Sequence, residues 1–419
     1  MKLIHANIVY SKDRNELAVF EDSYIAVYKG TVQGIWPVVP DEYKGAEIKD
    51  YGDAVLIPAF SDLHVHAPQY PNRGIKMDLL LADWLENCTF PLEARYADPE
   101  FAKTVYDAFI DDMIANGTAN VCVYGTIHMP ATSYLIEALE KKGIKAFVGK
   151  VNMNRNAPED LTEDTDASLR ETESFLEKYS GNRCAKPILT PRFAPSCTAD
   201  LINGLGKIAK KYGCGVQTHL VESLWEKEQA GILYPECSCD TEIYERAGLM
   251  ESGPVIGAHF IFPSEDDIRI LKAHNGFAVQ CPDSTVSVTA GIMQTGALLD
   301  REVNVGLGSD LAAGHHIGVY TQVARSVQLS KLKAFYEPEG NRRTGFQEAF
   351  WMATRHGGSL FGKTGAFEPG YEFDALVVDG LADAAVELTP EQAVERFCYI
   401  GTKENIKARY IGGEEIQDQ

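Results

Sequence analysis

The chain has 419 residues, 39 of them Lys or Arg and 60 Asp or Glu, for a formal net charge of −21. A field that acidic excludes proteins that coat nucleic-acid polymers, which present a basic surface to phosphate, but it does not exclude a small uncharged ligand in a pocket. With 45% hydrophobic and 24% charged residues the composition is ordinary for a globular protein, and no stretch approaches the ~20 consecutive apolar residues of a membrane helix.

The N-terminal run MKLIHANIVYSKDRNELAVF gains charge soon after its apolar stretch and lacks the small-residue cleavage site of a secretory leader. Nine scattered cysteines, an odd number, predict free thiols in a reducing, cytoplasmic setting. Cys237 and Cys239 are separated by one residue, closer than zinc knuckles or redox dithiols require, and read as loop thiols.

Residues 1–57 read as short alternating strands, KLIHANIVY, SYIAVYKGTVQGIWPV and AEIKDYGDAVLI, broken by Gly and Asp. From about Gly365 the same character returns in EFDALVVDG and IKARYIGGEEI. The expectation is a small composite β-sandwich domain made of 1–57 plus 365–419. Between them, residues 58–364 alternate strand-like runs with helical patterns. The runs are LIPAFSDLHVH, ANVCVYGT, KAFVGKVNM, KPILTPRFA, GVQTHLV, PVIGAHFIF, GFAVQCP and NVGLGSD. Each is followed by a segment of helical spacing, such as DPEFAKTVYDAFIDDMIANG. Eight β-then-α units predict an α/β fold, a (β/α)8 TIM barrel. An open doubly wound sheet is disfavoured because no Gly-rich dinucleotide fingerprint follows the first strand.

In a barrel of this kind the C-terminal ends of the strands form the catalytic rim. The first barrel strand ends in His64-Val65-His66, and alternation puts both imidazoles on one face. Strand five ends in Gln217-Thr218-His219, strand six in Ala258-His259 and strand eight in Gly308-Ser309-Asp310. A local hydrogen bond in the core would account for one such histidine but not for five placements at strand ends. Imidazole nitrogens with a carboxylate oxygen form a Zn2+-type ligand set. Glu222, three residues past His219, is placed to carry protons for a hydrolytic step. On the residues alone, Arg192 in TPRFA and Gln69 beyond His66 are most simply a salt-bridging Arg and a turn-capping Gln.

His64-Val65-His66-Ala67-Pro68-Gln69-Tyr70 resembles the opening motif of guanine deaminases in the amidohydrolase superfamily. The resemblance continues through LLLADWLENCTFPLEARYADPEFA, GTIH, AFVGKV, TPRFAPSC, QTHLVES, AHFIFPSEDD and GLGSDLAAG, and spans nearly the whole chain. It implies that His64, His66, His219 and Asp310 hold one Zn2+ per subunit and that His259 is a hydrogen-bonding partner or distant ligand of the attacking water. It makes Glu222 the proton shuttle and Asp310 the acceptor of the water's proton. Gln69, Arg192 and the Phe193 backbone would hold the purine, with Trp84 on a segment covering the pocket. The implied reaction converts guanine and water to xanthine and ammonia, in a homodimer.

Two features depart from that family. Cys281-Pro282-Asp283-Ser284-Thr285 replaces a C-P-N-S-N-type segment after strand seven, and Ala312-Ala313-Gly314 partly replaces the Gly after the strand-eight Asp, followed by His315-His316, which read as a helix-start surface. They leave the preferred base open among guanine, related aminopurines and pterins. A two-metal cyclic amidohydrolase would need a bridging lysine at the end of strand four, where this chain has Arg192; the nearest lysine, Lys150, falls on strand three. The unrelated zinc deaminases use H-x-E with P-C-x-x-C, absent here. A metal-free scaffold barrel would be expected to have lost ligands that this chain retains.

Overall fold

A computed structural model describes residues 1–383 and 385–417. Both chain ends contribute to one sheet. Strands β1 (Lys2–Ser11), β2 (Leu17–Tyr28), β3 (Thr31–Trp36) and β4 (Glu47–Pro58) come from the N-terminal part. The eight barrel strands follow: β5 (Phe60–His66), β6 (Thr118–Tyr124), β7 (Lys145–Asn152), β8 (Ala185–Pro191), β9 (Val216–Leu220), β10 (Val255–His259), β11 (Phe277–Gln280) and β12 (Asn304–Leu307). Strands β13 (Ala375–Val378), β14 (Ile406–Ile411) and β15 (Glu414–Glu415) return to the first sheet.

That sheet has the order β15-β14-β13-β4-β1-β2-β3. Its two-residue period sorts the side chains. Ile4, Ala6, Ile8 and Tyr10 of β1 pack with Ala375 and Val377 in one core, whereas Val9, Leu376 and Val378 pack on the barrel side. The single stretch SYIAVYKGTVQGIWPV is a hairpin rather than one strand. Its turn, Lys29 at φ 49° and Gly30 at φ 78°, has the left-handed pair that matches strand twist. Gly30 is also required sterically, since a Cβ there would lie 2.4 Å from the Gly412 carbonyl oxygen.

Only Ala59 separates the terminal sheet from the barrel. Its N–H donates to the Asp374 carbonyl (3.0 Å), and the next N–H, of Phe60, donates to Gly117 (2.9 Å). Phe60 anchors this junction among Phe350 (6.2 Å) and Phe397 (6.5 Å), measured between ring centroids. Burying each such ring contributes about 1.5–3 kcal/mol.

The barrel strands run parallel in sequence order. The ends of β12 and β5 meet where Asp310 N–H donates to the His64 carbonyl (2.9 Å). Leu63, Cys122, Ile188, Ile256 and Val279 fill the interior, so the barrel is a packed core with its chemistry confined to the rim. The surrounding helices begin and end as local physics requires. Asp98, Asp164, Thr198, Ser223 and Ser264 each accept an N–H of the first helical turn. No helix among the described residues is long and apolar enough to cross a membrane.

Candidate metal and catalytic site

The structure brings His64, His66, His219, His259 and Asp310 together at the C-terminal ends of β5, β9, β10 and β12, with every one of these residues buried. The Nε2 atoms of His66 and His219 lie 3.1 Å apart. His64 Nε2 is 3.3 Å from Asp310 Oδ1, and His66 Nε2 is 3.8 Å from the same oxygen. Neither ring nitrogen of His64 has a hydrogen-bond partner. Imidazole nitrogens turned toward one another and toward a carboxylate, with buried lone pairs unsatisfied, are the donor set of a divalent cation. A Zn2+ fits these residues. His64, His66 and His219, and His64, His259 and Asp310, form the two groups among the described residues whose ligand atoms are close enough to share an ion.

The surroundings hold these groups in ligating form. His219 Nδ1–H donates to the Arg192 carbonyl (2.6 Å), which leaves Nε2 unprotonated and aimed at the cluster. Burial, then the neighbouring imidazoles, keep His66 and His219 well below the ordinary histidine pKa. Burial pushes His259 down to about 4. Burial opposes ionisation of Asp310, but the His64 imidazole 3.3 Å away, with His259 and His66, holds it well below the usual carboxylate range. Unprotonated imidazoles at His66, His219 and His259 beside an ionised Asp310 suit a metal.

Backbone strain marks the same rim. Val221, His259, Phe260 and Asp310 have φ of 45°, 73°, 46° and 46°, a left-handed conformation unfavourable for residues with a Cβ and most unfavourable for β-branched Val. Gly308, just before Asp310, leaves room for His64, whose Cβ would lie 2.9 Å from any side chain there.

Glu222 follows β9, and its side chain is only 13% exposed. One carboxyl oxygen is 3.6 Å from His259 Nε2. Burial, then the charges of Asp310 and Glu226, raise its pKa well above the usual range, so the protonated form persists where a proton must be donated.

Arg192 and Gln69 are brought together by a residue that the sequence reading missed. Buried Glu93 accepts from Arg192 Nη1 (2.7 Å) with one oxygen and from Gln69 Nε2 (3.0 Å) with the other. The salt bridge expected of Arg192 is present, with buried Glu93 as its partner, whereas Gln69 donates to the same acid rather than capping a turn. The Phe193 ring lies 6.4 Å from that of His219. Trp84 is on the segment after β5 but is 1% exposed, packed in the core beside Val65 and Ala67, and its Nε1–H donates to the Ile75 carbonyl (3.3 Å).

Three further residues carry the site without having shown in the sequence. The Tyr124 ring packs 4.9, 4.7 and 5.1 Å from His64, His66 and His219; its only sequence signal was its place at a strand end. Asp62 accepts the N–H groups of His64 (3.2 Å) and Ser309 (3.0 Å) and the Ser309 hydroxyl, tying β5 to the end of β12. Asp62→Ala strands three buried donors at about 1–3 kcal/mol each, not fully additive, and is expected to lower stability by about 3 kcal/mol in denaturant unfolding. A loss below about 1 kcal/mol would contradict this pinning role.

Glu226 is the third. Its carboxylate accepts the Glu222 N–H (2.7 Å). Burial, then nearby Asp240, push its pKa from 4.5 up to about 8. Folded Glu226 therefore keeps its proton over a range in which the unfolded chain has released it. The unfolded state binds fewer protons there, so this group lowers stability as pH rises from about 4.5 to about 8, with no further change above. Glu226→Gln keeps an acceptor and removes the titration. Its melting temperature relative to the unsubstituted chain should rise more at about pH 9 than at about pH 5; an equal shift at both would refute the linkage.

The family departures are locally accommodated. Asp283 is buried and accepts from Arg325 Nε (3.0 Å) and Gln322 Nε2 (2.9 Å). His315 Nε2 is 3.9 Å from that carboxylate, while His316 Nδ1 accepts the Gly318 N–H (3.0 Å) just before the helix Val319–Tyr336. Lys150 is buried and paired with Glu163, its Nζ also donating to the Val151 carbonyl (3.3 Å), so the lysine that a two-metal site would recruit is already engaged.

Comparison with known proteins agrees with this architecture. The amidohydrolase family model matches residues 55–416. A guanine deaminase of Dictyostelium discoideum is 34% identical over 378 residues, covering 88% of this chain and 84% of its own. A guanine deaminase of Escherichia coli (strain K12) is 27% identical, covering 96% of this chain and 93% of its own. The crystal structure of a guanine deaminase from C. acetobutylicum, with guanine bound in the active site, is 40% identical, has a TM-score of 0.96, and covers 99% of this chain and 100% of its own. The chain belongs to the amidohydrolase family.

Proposed function

We propose that this protein catalyses the hydrolytic deamination of guanine to xanthine and ammonia, using one Zn2+ per chain held by His64, His66, His219 and Asp310. The observation that carries the reading is the meeting, on one rim, of that donor set with the buried Glu222 carboxyl group, 3.6 Å from His259 Nε2. The likeness to a guanine-bound relative over 99% of the chain supports the choice of base.

The ion supplies Lewis acidity, lowering the pKa of water from ~15.7 towards ~7. The chain's own groups do the rest. Asp310, held ionised, accepts the proton lost by the attacking water, and His259 Nε2, 3.8 Å from Asp310 Oδ2, orients that water. Glu222 donates a proton to the ring nitrogen beside C2; the proton taken by Asp310 passes to the amino group, the C2–N bond breaks to release ammonia, and the C2 hydroxyl proton returns to Glu222 as the carbonyl forms. Arg192 and the Phe193 backbone hold the base at its carbonyl, Gln69 reads its edge, and Trp84 stiffens the covering segment. These fixed donors need no reorganisation as charge develops.

A reducing cytoplasm suits the nine cysteines, all of which are free thiols. A homodimer suits the exposed Leu332, Phe335 and Tyr336 at one end of the helix Val319–Tyr336. The test is ammonia release from a set of purines and pterins by the zinc-loaded protein. Guanine should turn over fastest; fast turnover of another base with guanine inert would overturn the substrate and leave the hydrolytic site standing.

A further inference from the structure

Arg192 is 5% exposed, so its cation needs a partner, and the Glu93 carboxylate supplies it at 2.7 Å. Glu93 is itself 1% exposed, and its second oxygen holds Gln69 Nε2 at 3.0 Å. Phe90, three residues earlier on the same turn of the helix Phe90–Ala94, places its ring 5.6 Å from the Arg192 guanidinium. Residues i and i+3 share a helix face, so one short segment supplies both the charge and the ring that fix Arg192. The arrangement meets the metal ligands at the backbone, where the Arg192 carbonyl accepts the Nδ1–H (2.6 Å) and the N–H (3.1 Å) of His219.

We propose that Glu93 is the positioning residue of the base pocket, fixing Arg192 and Gln69 together and cancelling the Arg192 charge so that the pocket accepts a neutral carbonyl-bearing base and rejects an anionic one. This rests on the guanine reading above. Two consequences follow from one carboxylate. Orientation governs affinity for the neutral substrate. Charge balance governs the product, because xanthine, with an imide in place of the amidine, loses a proton more readily than guanine, and its anion finds no uncompensated cation to hold it. The same residue thus favours substrate entry and product departure.

Glu93→Gln is nearly isosteric and neutral. Measured on the zinc-loaded enzyme, it should raise the KM for guanine about 10- to 100-fold, the effect of breaking a buried hydrogen bond to a charged group, with kcat changed less than about threefold. Competitive inhibition by xanthine should move the other way, becoming tighter as pH rises through xanthine's first ionisation. A pocket that had merely loosened would weaken guanine and xanthine alike, at every pH. Glu93→Asp, which keeps the charge but shortens the reach, should raise the KM while leaving the pH dependence of xanthine inhibition unchanged, and it carries the test if the Gln variant does not fold. An unchanged KM in the Gln variant, parallel weakening of both ligands, or, for the Asp variant, an unchanged KM would overturn the proposal while guanine turnover by the unsubstituted enzyme stands. Absence of that turnover would overturn the guanine reading and this inference with it.

Discussion

Glu222→Gln retains zinc and loses about 10²- to 10⁴-fold in kcat, the contribution expected of a positioned proton carrier. The substitution preserves shape and one acceptor, so the backbone after β9 and its N–H bond to Glu226 (2.7 Å) are undisturbed. What disappears is a carboxyl group that burial and the charge of Asp310 hold in its protonated form well past the usual range. Such an acid is present at low pH and lost as pH rises through its raised pKa. The unsubstituted enzyme should therefore show a decline in kcat with rising pH that the Gln variant lacks. KM should change little, because no base-holding group is touched. Near-normal turnover with zinc in place would remove Glu222 from this role.

His66→Ala loses both metal and activity. His66 Nε2 and His219 Nε2 approach to 3.1 Å, and with His64 they form a group whose ligand atoms are close enough to share one cation. Removing one imidazole leaves a three-residue set with a hole toward the pocket. Zinc content after dialysis should fall to background in elemental analysis, with no guanine turnover. Because binding of a metal to the folded state alone adds to stability, the variant should also resemble the chelator-treated parent in melting temperature and no longer respond to added zinc. Full zinc content in the variant would exclude His66 as a ligand.

Much of this site was legible because rim chemistry and strand pattern coincide. The eight apolar strand-like runs each overlap one barrel strand, and His64, His66, His219, His259 and Asp310 meet at the rim where those strands end. The paired residues that support them were hidden by distance along the chain. Asp62 and Ser309 are 247 positions apart and Glu93 and Arg192 are 99 apart, and no local period signals either contact. Glu93 also lies in the long connection between β5 and the helix Pro99–Ala115, where short helical turns replace any extended pattern. Asp283 was visible as a departure, but its neutralisation by Arg325 was not, since the partner comes from another connection. The hairpin at Lys29-Gly30 was missed because its two strands read as one continuous alternation.

In the proposed reaction water attacks C2 of guanine in the zinc-loaded enzyme. Incubating guanine with the purified zinc enzyme in 18O-enriched water tests it in one mass-spectrometric measurement. Xanthine should carry a single heavy oxygen at C2, form in step with an equal amount of ammonia, and cease to form on chelation. Unlabelled product, label elsewhere on the ring, or undiminished turnover after the metal is stripped would contradict it.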